Sequence, residues 1–244
     1  MASTSETGHD IDIANSKSYV SVTETMGAEY QPTEPAHELA VVKPQVAAAA
    51  VAQTAVNEAK KPCKTATDKR VNLFKGVKGL STVVNGVVGT LLIPQNTKDG
   101  ITSIHKKIQG TKIGKDVQPE EGKEAPKTNS VSQQSFVSIA KNLRDMIGSL
   151  KEIPKYAPKE EQRKITSLEA FVTELETINE EMPTLETNLA NARSKRDALF
   201  YKDDEGLVDT MKSIKGYLKT LNGGKHPAYK KVVTYKFTTK PKKK

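Results

Sequence analysis

A chain of 244 residues with 36% hydrophobic residues, no Trp and only five Phe lacks the bulky apolar material of a thick globular core, and suits an elongated helical bundle. The single cysteine, Cys63, excludes an internal disulfide and a cysteine metal cluster. The four scattered histidines (His9, His37, His105 and His226) form no pair at metal-ligand spacing, so they read as surface residues and neither metal nor cofactor is expected. The net charge of +9 is concentrated at one end: residues 225–244 hold eight lysines and no acid, which leaves the remainder close to neutral.

Residues 1–17 are small and polar and read as a disordered tail, without the basic start and apolar core of a secretion signal. The most apolar window, Gly79 to Ile93, is shorter than the roughly 20 residues of a membrane span. A cytoplasmic protein is the expectation, and a membrane partner is not.

From residue 18 the chain reads as two copies of one unit. Tyr30-Gln31-Pro32 recurs 126 residues later as Tyr156-Ala157-Pro158, and Lys69-Arg70 with Leu73-Phe74 recurs as Lys195-Arg196 with Leu199-Phe200. Ser18-Tyr19-Val20-Ser21-Val22 is matched to Ser135-Phe136-Val137-Ser138-Ile139. On that match the opening helix of the first copy has lost about two and a half turns at 3.6 residues each, or is not a helix at all.

The long segment after each Pro carries a heptad seam. In the second copy it runs Leu168, Phe171, Leu175, Ile178, Met182, Leu185, Leu189, Ala192, Arg196, Leu199. The same slots in the first copy are Val42, Gln45, Ala49, Ala52, Val56, Ala59, Cys63, Ala66, Arg70, Leu73. Small residues facing large ones predict that the two long helices pack side by side. Pro183 predicts a kink, because the heptad phase continues across it; Pro44 and Pro62 interrupt the first run, with a break expected near Pro62.

A third amphipathic helix follows each Lys-Arg pair. It is led by Gly79-Leu80 and ends at Pro94 in the first copy, where a strand over residues 81–93 is the competing reading. In the second it is led by Gly206-Leu207 and ends at Gly223-Gly224. Residues 101–110 suit a short helix, whose His105-Lys106-Lys107-Ile108 echoes Tyr229-Lys230-Lys231-Val232; residues 230–238 alternate like a short strand or extended arm. The predicted organisation is a tail (1–17), helical repeat 1 (18–111), a charged flexible linker (112–129), helical repeat 2 (130–224) and a basic tail (225–244).

Ser132-Gln133-Gln134-Ser135-Phe136, Tyr156-Ala157-Pro158, Asn191-Ala192-Arg193 through Leu199-Phe200-Tyr201, Gly206-Leu207-Val208-Asp209, Lys215-Gly216-Tyr217 and Lys107-Ile108-Gln109-Gly110 together make the chain similar to a set of bacterial all-helical proteins with a duplicated helical-hairpin unit. The resemblance covers most of the chain from about residue 18. It implies a cytoplasmic duplicated bundle and carries no activity, substrate or site residue with it.

Catalytic signatures are absent from the sequence. Gly76-Val77-Lys78-Gly79 lacks the strand, helix and Ser/Thr context of a phosphate loop, and helix packing accounts for its glycines better. Glu174, Glu176, Glu180 and Glu181 have no His three residues on, so a di-iron bundle is not expected; they and Asp203, Asp204 and Glu205 read as a solvated face and an acidic helix start. Arg70 and Arg196 occupy seam slots otherwise apolar. Each is either a packed stem with its head in water, or half of an inter-helix ion pair that sets register, with Asp68 or Asp197 nearby. The lysines of the basic end (Lys230, Lys231, Lys236, Lys240, Lys242, Lys243 and Lys244) are candidate anion contacts, and Tyr229, Tyr235 and Phe237 could stack on bases. The reading is an all-α protein, not an enzyme: a structural or interaction protein with a protein partner or self-association. Nucleic-acid association through the tail is the alternative, and a membrane-active protein inserting Val83 to Ile93 the third.

Overall fold

The computed structural model describes residues 8–111 and 134–238, and all regular structure among them is helical. The α-helices are α1 (His9–Met26), α2 (Leu39–Lys75), α3 (Val77–Thr90), α4 (Gln95–Gln109), α5 (Phe136–Lys151), α6 (Ile165–Tyr201), α7 (Leu207–Thr220) and α8 (Pro227–Val232). The predicted linker 112–129 lies outside the described residues.

Chain position and helical position agree at a spacing of 126. Helices α2 and α6 have 37 residues each and begin at 39 and 165. Each is preceded by a 3₁₀ turn, at Pro35–His37 and Glu161–Arg163. The Tyr30 hydroxyl donates to the His37 carbonyl (2.7 Å), and the Tyr156 hydroxyl to the Arg163 carbonyl (2.9 Å). One tyrosine therefore clips each entry turn closed from its buried side. Along the long helices the buried positions match in pairs: Val42 with Leu168, Val46 with Val172, Ala49 with Leu175, Val56 with Met182, Cys63 with Leu189, Phe74 with Phe200. The heptad positions 42, 49, 56 and 63 lie inside as expected. The alternate slot moves by one residue, from 45 to Val46 and from 171 to Val172, because the side chain one place further on faces the core. Neither helix breaks at its prolines: Pro44 and Pro62 lie within α2, and Pro183 within α6. Helix α3 excludes the strand reading of 81–93.

The opening helix departs from expectation. Helix α1 has 18 residues and α5 has 16, so the opening helix is not shortened, and the match of 18–22 to 135–139 is out of register. Residues 9–17 are helix rather than tail. Their inward stripe is Asp12, Ile13, Ser16, Tyr19 and Thr23, at helical spacing but half polar. Ser16 Oγ donates to the Asp12 carbonyl (2.7 Å) and Thr23 Oγ1 to the Tyr19 carbonyl (2.9 Å), so both buried hydroxyls are satisfied within the helix.

The chain forms two compact units, and neither is one of the predicted repeats 18–111 and 130–224. One joins the described residues up to Pro62 with those from Leu185 onward; the other is Cys63–Thr184. Each unit takes part of each long helix.

In the first unit α1 runs antiparallel to α2, with an ion pair from Lys43 to Glu24 at one end and Gln53 Nε2 donating to Asp10 Oδ2 (3.2 Å) at the other. The last part of α6 also lies alongside α2, where Arg196 Nη1 donates to Gln53 Oε1 (3.5 Å), and Gln45 Nε2 donates to the Glu205 carbonyl in the turn that follows α6 (2.8 Å). Tyr19, Val42, Val46, Ala49, Phe200, Leu207, Met211, Ile214, Leu218 and Val232 form the core. The α6–α7 turn admits only glycine at 206, because a Cβ there would stand 2.6 Å from the Phe200 carbonyl oxygen.

In the second unit α3 and α4 form a hairpin packed on α5. Ile101, Ile108, Leu143, Met146, Ile147 and Leu150 are all buried. The Ser135 hydroxyl caps α5 by accepting from the Ser138 N–H (3.0 Å). Phe74 of α2 meets Phe136 of α5 edge to face at 4.7 Å, and Lys69 of α2 pairs with Glu174 of α6 at 3.1 Å.

Candidate functional site

The basic end of the chain is folded as far as residue 238, which corrects the reading of 225–244 as a tail and of 230–238 as a strand. Helix α8 starts with Pro227 at its first turn and with the His226 ring accepting from the Ala228 N–H (3.1 Å). Val233 and Thr234 turn, with the Tyr235 N–H donating to the Val232 carbonyl (3.1 Å), and residues 235–238 then pass along α1. The Tyr19 hydroxyl donates to the Val232 carbonyl (3.2 Å), Asn15 Nδ2 to the Lys236 carbonyl (3.0 Å), and the Thr238 N–H to Asp12 Oδ1 (3.0 Å). The Gly8 N–H in turn donates to Thr238 Oγ1 (3.1 Å). From α7, Lys215 Nζ reaches the carbonyls of Val233 (2.5 Å) and Tyr235 (3.2 Å), and burial lowers its pKa.

This docking removes the rings from the candidate anion site. Tyr235 and Phe237 pack on Tyr19 at 5.9 and 5.8 Å between centroids, and with Tyr229 they line the core of the first unit. The lysines stay outside. Lys230, Lys231 and Lys236 keep their ammonium groups at the surface, and Lys219 on α7 and Lys225 in the connection join them. Lys240, Lys242, Lys243 and Lys244 lie outside the described residues. Between Thr210 and Thr238 there are seven lysines, Lys212 included, and no acid, so the basic stretch begins a helix earlier than the tail read from sequence.

The two seam arginines part company. The Arg196 side chain is largely buried and binds Asp197, the next residue of its own helix, through Nε (2.9 Å) and Nη2 (2.7 Å) to Oδ1. Across to α2 it meets the Gln53 amide oxygen, at 3.5 Å. The Arg70 guanidinium lies over the Phe136 ring, 4.6 Å from its centroid, and its Nε is buried without a hydrogen-bond partner. The ion pair of Arg196 is therefore a contact within one helix, and Arg70 makes a ring contact. Neither is the inter-helix ion pair the seam suggested.

Around Arg196 sequence reasoning missed a polar layer. His9 Nε2 lies 3.1 Å from the Tyr201 hydroxyl and 3.8 Å from Asp197 Oδ1, and its ring stands edge-on to Phe200 at 4.9 Å. Burial and the Arg196 charge lower the His9 pKa, while burial raises those of Tyr201 and Asp12. Asp12 Oδ2 is buried and without a partner. Asp12, Ser16 and Thr23, spaced by four and seven on one face of α1, were the available signal. His9 and the buried His37 are thus not surface residues, and His105 Nδ1 sits 3.2 Å from Ser81 Oγ.

Among the described residues no group of His, Cys, Asp or Glu is placed to hold a metal. The carboxylates of α6 are engaged in part by bases, Glu174 by Lys69 and Glu176 by Arg144, whose guanidinium lowers the Glu176 pKa. Asp203, Asp204 and Glu205 form the turn before α7 rather than its start. An open groove beside α5 is lined by Arg144, Asp145, Lys151, Glu152 and Glu169, with the Lys151 ammonium on Glu169. No protein-family model, curated protein or solved structure matches the chain.

Proposed function

We propose that this chain is a non-enzymatic interaction protein whose helical scaffold presents a basic surface to an anionic partner. The observation that carries the reading is the fixed placement of Lys219, Lys225, Lys230, Lys231 and Lys236. They stand at the surface on α7, α8 and a segment pinned to α1, with no acid in the sequence between them. Ammonium groups held at the surface of a rigid body attract polyanions at long range, and salt screens that attraction. The agreement of boundaries, tyrosine clips and buried positions at a spacing of 126 supports reading the chain as a tandem duplication.

Nucleic acid is the second reading, in a narrower form. With Tyr229, Tyr235 and Phe237 packed inward, contact would run through phosphates alone, and binding would be salt-dependent and indifferent to sequence. Retention of the full chain on a heparin column tests the proposal. Replacing Lys230 and Lys231 together by Glu should lower the eluting salt concentration clearly while leaving the helical circular dichroism unchanged. Equal retention of parent and variant would refute it.

A further inference from the structure

We infer that Asn222-Gly223, in the turn between α7 and α8, is a site of spontaneous deamidation that sets a carboxylate into the basic surface as the chain ages and, on the role proposed for that surface, weakens its hold on an anionic partner. Asn-Gly occurs twice in the sequence, at Asn85-Gly86 and at Asn222-Gly223. The reaction requires the main-chain nitrogen of the glycine to reach Cγ of the asparagine, and glycine, having no Cβ, leaves that nitrogen open. It also requires the asparagine backbone to rotate, and the fold permits that at one pair only.

Asn85 lies inside α3, between the buried Val84 and Val88, and its Oδ1 accepts from Thr102 Oγ1 of α4 (3.0 Å). Rotation there breaks helical hydrogen bonds and unseats core side chains. Asn222 and Gly223 are exposed, and the backbone at Asn222, Gly223 and Gly224 is left-handed throughout, with φ of 47°, 59° and 78°. Asparagine tolerates that conformation without favouring it. One turn bond holds the Asn222 carbonyl, from the Lys225 N–H (3.1 Å), and no residue of 221–224 is buried, so opening this turn uncovers no core.

The chemistry consumes only water. The Gly223 N–H gives its proton to solvent hydroxide, and the nitrogen forms a bond to Asn222 Cγ. The Cγ–Nδ2 bond breaks, and the side-chain nitrogen leaves with a solvent proton as ammonia. Water then opens the five-membered imide at either carbonyl. One product is aspartate; the other is isoaspartate, whose main chain runs through Cβ and Cγ.

No Asp or Glu occurs after Asp209. The exposed Lys219 and Lys225 flank position 222 in the chain, and α8 with Lys230 and Lys231 follows. Conversion lowers the net charge by one, from +9 to +8, and places the new acid inside the acid-free stretch. A polyanion drawn to these lysines is then held less firmly, the more so at low salt.

The full chain is incubated at mildly alkaline and at mildly acidic pH and digested with trypsin beside an unincubated control. Mass spectrometry with fragmentation then locates new carboxylates in the fragments 220–225 and 79–98. Conversion at Asn222 is expected in alkali, at about ten times the rate at Asn85 or more. Asn222→Gln, which would have to close a larger ring, should abolish it. The converted parent and Asn222→Asp should both leave heparin at lower salt than the fresh parent. The inference is overturned if Asn222 keeps its amide, if Asn85 loses its amide as fast, or if Asn222→Asp elutes with the fresh parent. Should that last result accompany early elution of the variant with Glu at both Lys230 and Lys231, the basic surface stands and only its weakening with age is struck. Parental retention of the double variant strikes the basic surface itself, whatever the mass spectra show.

Discussion

Ala49 offers the sharpest test of the seam. It is fully buried in α2 among Val42, Val46, Phe200 and Tyr201, and the matched slot in α6 holds the fully buried Leu175. Ala49→Leu adds three carbons at a site packed near crystalline density, where the neighbouring valines are stiff about χ1. Overpacking of that kind costs about 1–3 kcal/mol. The converse change, Leu175→Ala, opens a cavity and should cost about 2–5 kcal/mol. Ala47→Leu, two residues away on the exposed face, should stay within about 0.5 kcal/mol of the parent. Urea unfolding followed by helical circular dichroism measures all three. Since Ala49 and Leu175 lie in different units, the two costs should add within about 0.5 kcal/mol. The reasoning fails if Ala49→Leu is as stable as the parent, or if Ala47→Leu is as damaging as Ala49→Leu.

Removing either tyrosine hydroxyl, by Tyr30→Phe or Tyr156→Phe, strands a carbonyl in an entry turn and should cost about 1–3 kcal/mol by the same unfolding assay, with similar values for the two. Asp12 has its pKa raised by burial, so the folded state holds the proton more tightly than the unfolded chain. Its contribution makes stability fall as pH rises from the ordinary aspartate value through the raised one, and Asp12→Asn should remove that component from a plot of urea midpoint against pH. His9 acts in the opposite sense: with its pKa lowered, its contribution rises with pH up to about 6.5, and His9→Gln should flatten that part of the same plot. Lys215→Met leaves the carbonyls of Val233 and Tyr235 without their ammonium donor, so trypsin should cut after Lys230, Lys231 and Lys236 faster than in the parent; equal cutting rates would show that Lys215 does not hold the segment.

The long helices were legible because a seam of Leu, Ile, Val and Ala at alternating steps of three and four fits a helix and fits neither a strand nor a loop. The shift from Gln45 to Val46 was legible too, since Val46 is apolar where Gln45 is not; the shift from Ala52 to the buried Gln53 was not. Helix α1 was hidden by chemistry. A stripe that buries Asp12, Ser16 and Thr23 satisfies its hydroxyls within the helix, which apolar periodicity does not detect. The docking of 233–238 was partly visible in the spacing of Val232, Tyr235 and Phe237, but lysine density drew the reading towards solvent. The make-up of the units was not legible. Pairing across more than a hundred residues depends on which seam meets which, and two copies of one pattern do not specify that locally.

The unit that contains both α1 and α8 sets a constraint on synthesis. Its first 62 residues leave the ribosome well before Leu185 and its successors exist, a wait on the order of ten seconds at ordinary elongation rates. During that interval the contiguous unit Cys63–Thr184 can close by itself, while the nascent N-terminal hairpin has nothing to cover Tyr19, Val42 and Val46. Emergence of the segment around Thr238, long after the first helix, is the event that lets Gly8 and Thr238 meet.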